Sequence, residues 1–149
     1  MKRFLALLLM VALGAAAAHA ELVSSTPDSG ALLSQAPGQV ELAFSEPLET
    51  LFSIFKVYRL DAEVDLAEDN AGQRLNGLAG ALVNEVLELR DDTELRVDTG
   101  MISDGATVDT LSLLLNDELP AGHYVAMWRV LSIDTHVTQG FIVFTVAAE

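Results

Sequence analysis

The sequence predicts an all-β domain: an antiparallel β-sandwich carrying one inserted amphipathic helix at about residues 70–90. Three observations predict it. Short segments alternate apolar and polar residues with period two, turns rich in Pro and Gly punctuate them, and one stretch switches to helical spacing. The 149 residues suit one such domain plus a processed segment.

That segment comes first. Lys2 and Arg3 supply a charged start, Phe4 to Gly14 an apolar run, and small residues follow, the pattern of a secretory signal peptide. The run is shorter than the roughly 20 residues a membrane-spanning helix needs. Two cleavage frames place small residues at the required positions. Ala16 with Ala18 releases a chain starting at His19; Ala18 with Ala20 releases one starting at Glu21. Turns follow at Thr26-Pro27-Asp28-Ser29-Gly30 and Ala36-Pro37-Gly38. Val40, Leu42 and Phe44 then alternate with Gln39, Glu41 and Ala43, so one face of that strand is buried. Leu51 to Tyr58 reads as the next strand. Between Asn70 and Arg90, Leu75, Leu78, Leu82, Val86 and Leu89 mark the core stripe of a helix that Asp69 or Asn70 caps, lying over one end or face of the sandwich. Gly77 and Gly80 each weaken that helix by about 1 kcal/mol relative to Ala. Further strands are expected at Thr93–Val97, Thr107–Leu115 and, after the Pro120-Ala121-Gly122 turn, His123–Leu131. Gly140–Val146 closes the chain.

Charge and cysteine content narrow the function. The chain carries 22 acids against 8 Lys and Arg, a formal charge of −14. Cleavage before His19 removes Lys2 and Arg3 and no acid, moving it to −16 and leaving 131 residues (149 − 18). So acidic a surface does not attract nucleic acid or anionic membrane through its general field. The absence of cysteine rules out a disulfide framework and a lipid attached at an N-terminal Cys, and fits an exported domain stabilised by its core alone.

The chemistry concentrates in three side chains. Asp134 and His136 lie two apart, so in extended backbone both point to one face. An Asp-x-His pair is weak evidence alone. Cleavage before His19 changes its weight, because a terminal His offers an amine and an imidazole to one ion. With Asp134 and His136 that makes three nitrogens and one carboxylate oxygen, a set suited to Cu(II), which also tops the affinity order of divalent first-row metals. Soft Cu(I) wants sulfur, and beyond residue 18 only Met101 and Met127 offer any, Met127 being placed to pack. His123, after a turn, is expected to face solvent without a role. Trp128 is expected in the core, and no Ser-His-Asp or phosphate-cradling glycine pattern has supporting context.

At these residues the sequence resembles the CopC family of periplasmic copper-resistance proteins. The matching pieces are His19-Ala20-x-Leu22, Ser25-Thr26-Pro27 with Gly30, Val40-Glu41-Leu42-Ala43-Phe44-Ser45-Glu46, and Ala121-Gly122-x-Tyr124 through Trp128-Arg129-Val130-x-Ser132-x-Asp134-Thr135-His136 to Gly140 and Phe144-Thr145-Val146. They span both ends of the chain but not its middle. The resemblance implies an immunoglobulin-like Greek-key sandwich over 19–149 and a signal peptide over 1–18. It also implies a type-2 Cu(II) site, one ion per chain, on His19, Asp134 and His136, and it favours the first cleavage frame. Glu46 matches a family glutamate near the metal, an outer ligand or a structural residue. The methionine-rich segment of some members is missing, and the 70–90 helix lengthens the middle. The implied role is a monomeric, non-enzymatic, periplasmic copper carrier or buffer with an inner-membrane partner of the CopD type. Two rivals stand beside it: a copper oxidase built on an N-terminal His, and a metal-free sandwich module for interaction, which Glu21 as mature start would favour.

Overall fold

Strand alternation sorts the chain into two faces, and those faces dictate how it closes. The computed structural model describes residues 19–148; the signal-peptide reading of 1–18 lies outside them. The strands are β1 (Leu22–Thr26), β2 (Leu32–Leu33), β3 (Gln39–Glu49), β4 (Ile54–Leu60), β5 (Asp98–Ile102), β6 (Thr107–Leu115), β7 (Gly122–Leu131) and β8 (Val137–Val146), with a helix α1 (Ala71–Val86) between β4 and β5. One sheet runs β1-β3-β6-β5 and the other β2-β8-β7-β4. All pairings are antiparallel except the two-residue β2–β8 contact. The result is a Greek-key β-sandwich, as the patterning and the resemblance predict.

β7 shows how sequence becomes architecture. Tyr124, Ala126, Trp128 and Val130 point between the sheets into a core shared with Val40, Leu42, Leu48, Val57, Leu113 and Phe144. The intervening Val125 and Met127 point the other way, into a second core beneath α1. β7 is therefore buried on both faces, which is why it reads as a nearly continuous apolar run. Gly140, opposite Trp128 in the ladder, leaves room for the indole: a Cβ there would meet a ring carbon at 2.7 Å.

The helix lies on the outer face of the β2-β8-β7-β4 sheet, rotated from the expected stripe. Ala71, Leu75, Ala79, Val83 and Val86 are buried, while Leu78 and Leu89 are exposed. Ala79 is fully covered, and Gly80 packs beside the Phe141 ring, where an added Cβ would sit in ordinary contact at 3.9 Å. Asn70 stands at the N-cap without a side-chain capping bond. The helix stops at Val86, short of Arg90, where the buried Lys56 Nζ donates to the carbonyls of Val86 (3.0 Å) and Leu89 (2.7 Å) and to the Asp92 carboxylate. A lysine from the sheet thus fills the role of a C-terminal cap.

Three strand boundaries differ from expectation. Thr93–Leu95 forms a 3-10 turn, and the edge strand begins at Asp98, whose carboxylate is engaged by Arg96 and by the Val57 N–H at 2.7 Å. Thr50–Phe52 is also a 3-10 turn, because the Ser53 hydroxyl donates back to the Glu49 carbonyl and accepts the Leu131 N–H. The last strand starts at Val137, three residues before Gly140. His123 is not solvent-facing. It is buried, its Nδ1 2.8 Å from the Thr145 hydroxyl directly across the ladder.

Candidate metal centre

The site residues sit where β7 hands over to β8. The link Ser132–His136 is a tight turn and not the extended backbone that i, i+2 spacing suggested. Thr135 adopts φ +73°, Thr135 N–H donates to the Ser132 carbonyl, and Ser132 N–H to the His136 carbonyl, both at 2.9 Å. The turn brings Asp134 onto His136 itself: carboxylate Oδ2 lies 2.8 Å from Nδ1, and Oδ1 accepts the His136 N–H at 3.2 Å. The buried Ser132 hydroxyl donates to the same Oδ1. That bond first, then those from His136, hold the Asp134 carboxyl down to about 2. It is therefore ionised wherever an imidazole can be neutral.

The N-terminal segment is carried to this turn by two threads. Thr138 Oγ1 donates to the Ala20 carbonyl at 2.8 Å, across 118 residues of sequence. Ser45, on β3, accepts the Glu21 N–H at 3.0 Å, and its own N–H donates to the Glu21 carbonyl at 2.9 Å. Ala20 inserts into the sandwich core. His19 is consequently presented to His136, ring centroids 5.0 Å apart and planes at 70°. The structure brings all three predicted residues together.

Does a cation fit them? Among the described residues no three His, Asp or Glu side chains stand ready at metal-ligand spacing. Asp134 is engaged with His136 Nδ1, the familiar way a carboxylate orients a metal-binding imidazole. A second observation favours a cation. Glu46 lies between Ser45, which holds the N-terminal segment, and Pro47, whose carbonyl receives the Ile133 N–H, and its Oε2 is buried without a hydrogen-bond partner. A buried carboxylate oxygen with no donor is costly, and a nearby ammonium or metal ion would relieve it. The donor set and the orphaned oxygen both fit a hard or borderline cation.

Sulfur does not gather here. Met127 is fully buried beneath α1, and Met101 stands on the edge strand β5. Sequence reasoning gave Ser132 no role of its own, although it stands within the matching motif two residues before Asp134.

Comparison with known proteins points to one family. The family model of the CopC domain matches residues 22–84 and 76–147. Copper resistance protein C of Pseudomonas syringae pv. tomato is 32% identical over 131 residues, covering 88% of this chain and 82% of that protein. Copper transport protein CutJ of Bacillus subtilis (strain 168) is 30% identical over 129 residues, 87% of this chain, but the match spans only 18% of that longer protein. Among solved structures, PcoC, a methionine-rich copper resistance protein from Escherichia coli, superposes with a TM-score of 0.57 at 26% identity, over 87% of this chain and 99% of that one.

Proposed function

The chain belongs to the CopC family, a family of copper-resistance and copper-transport proteins, and on that footing we propose that it binds one Cu(II) through His19, Asp134 and His136. The observation that carries this is the His19 ring held 5.0 Å from His136, with Asp134 orienting the second imidazole. Cleavage after Ala18 turns residues 19–149 into the mature domain and gives His19 a free amine, so that one residue donates twice. Neutral imidazole, amine and carboxylate together favour Cu(II) over softer Cu(I). The protein works by coordination and release in the periplasm, buffering copper or passing it to an inner-membrane protein of the CopD type. Among the described residues no helix is long and apolar enough to cross a membrane.

Processing and copper are tested together by intact mass of the exported protein with and without one equivalent of Cu(II). A chain starting at His19 that retains one copper supports the site. His19→Ala and His136→Ala should then each lose more than the roughly 10–100-fold in affinity that removal of an outer-shell partner costs. An α-amine titrates near 8 and a free imidazole near 6.5, and both bind metal only when neutral, so affinity should fall steeply below about pH 6. A chain starting at Glu21, or affinity flat from neutral to acidic pH, refutes this ligand set.

A further inference from the structure

Beyond residue 18 the sequence has six cationic side chains: Lys56, Arg59, Arg74, Arg90, Arg96 and Arg129. Four of them line one cleft of about 580 Å³ between β4, β7 and the segment that follows α1. In a chain of formal charge −14 this is a marked segregation. Two of the four are spent internally. Lys56 has its three donors on Val86, Leu89 and Asp92, and Arg96 is engaged by Asp98 and the Phe55 carbonyl. The other two are available. Arg90 is exposed with no carboxylate partner among the described residues, and Arg129 meets only the exposed Glu88, loosely, at 3.5 Å.

The cleft adjoins apolar surface and the metal site. Leu51 and Phe52, on the 3-10 turn just before the cleft-lining Ser53, are 81% and 68% exposed, and Leu89 on the opposite wall is 44% exposed. Ser53 accepts the Leu131 N–H, and Leu48 bridges to Ser132, so this turn runs alongside the segment that carries Asp134 and His136. Ile133, at 54% exposure, continues the apolar surface on that segment.

We propose that this face is a docking surface for an acidic segment of a partner protein, its carboxylates displacing Glu88 to reach Arg129 and Arg90 while flanking apolar side chains cover Phe52 and Leu51. Charge complementarity selects the occupant: the acidic surface as a whole repels an acidic partner. Arg90 and Arg129, two cationic side chains without a firm carboxylate partner, both line this cleft, which favours one position and orientation. Exposed aromatic and Arg side chains are the types that anchor such contacts. That the partner exchanges copper rests on the function proposed above; the docking itself does not.

The test uses a terminally blocked, dye-labelled peptide of glutamates alternating with leucines, and its glutamine counterpart, titrated by fluorescence anisotropy against the mature protein. The glutamate peptide should bind and the glutamine peptide should not. The double variant Arg90→Gln/Arg129→Gln should weaken binding roughly five- to tenfold, as should high salt, with Cu(II) affinity unchanged. Phe52→Ser should weaken binding without altering its salt dependence. Equal binding of both peptides, or no effect of the double arginine variant, overturns the proposal. So does displacement of the peptide by inorganic phosphate at equal charge concentration, which would make the cleft a small-anion site. A parallel copper titration of the unsubstituted protein separates the two claims: peptide binding without copper binding sinks the copper reading and leaves the docking surface standing.

Discussion

Ser132 shows how a proposed metal site depends on residues beyond its candidate ligands. Its hydroxyl is buried and donates to Asp134, and Asp134 in turn fixes His136 through Nδ1. Replacing Ser132 with Ala removes the first of the bonds that hold the Asp134 carboxyl low. The expected result is a roughly tenfold loss of Cu(II) affinity at unchanged one-to-one stoichiometry, read by competition titration against a chelator of known affinity. Asp134→Asn should lose more, because the amide also ceases to be an anionic donor. Asp134 and His136 were legible through His19 and the motif around them, because an Asp-x-His pair alone is weak evidence. The sequence offers Glu46 as an outer ligand or a structural residue and Ser132 only as part of the motif. The Ser132–Asp134 bond and the unpartnered Glu46 oxygen were not legible, since they depend on how the turn and the strand fold.

At the level of elements, the position of α1 depends on a residue outside it. Lys56 projects from β4 into the end of the helix, and its ammonium replaces the hydrogen bonds that the last carbonyls would otherwise lack. Removing it leaves the Asp92 carboxylate buried without its cation. Lys56→Met should therefore cost roughly 3–5 kcal/mol, measured as a fall in the urea midpoint at unchanged slope. Adding Asp92→Asn to Lys56→Met should recover part of that loss, because the uncompensated charge is gone. The helix itself was readable from its period. Which face it buries was not, because Leu78 and Leu89 are more hydrophobic than Ala79 and yet stay exposed while Ala79 is fully covered. Strand periodicity gave the central strands correctly. It failed at Thr93–Val97 and Leu51–Phe52, where Thr93–Leu95 and Thr50–Phe52 form 3-10 turns. The first is closed by the Leu95 N–H on the Asp92 carbonyl and the second is supported by the Ser53 hydroxyl on the Glu49 carbonyl.

For the whole molecule, the acid limb of stability follows from two carboxylates. Burial alone would raise the Asp92 carboxyl, but hydrogen bonds from Lys56 and Tyr58 outweigh it and leave it below its ordinary 3.8. Asp134 is lowered to about 2. A depressed carboxyl contributes stability that is complete above the unfolded value and disappears as pH falls towards the folded one. The urea midpoint should thus be level from about pH 5 upwards with respect to these groups and should decline below about pH 4. Asp92→Asn should start from a lower midpoint and decline less. A midpoint that begins falling at pH 6 would point to other groups. The sandwich class was visible at this scale from alternation alone; the assignment of strands to sheets was not, because nothing local says that β3 pairs with β6 and β4 with β7.

The bond from Thr138 to Ala20 joins points 118 residues apart, so the two halves of the proposed copper site come from distant parts of the chain. An ion shared by His19 and His136 would close almost the entire polypeptide into a single ring. In a protein without cysteine, copper bound there would act as a removable staple. It would hold the folded chain only, and it would be released by protons where a disulfide needs a reductant.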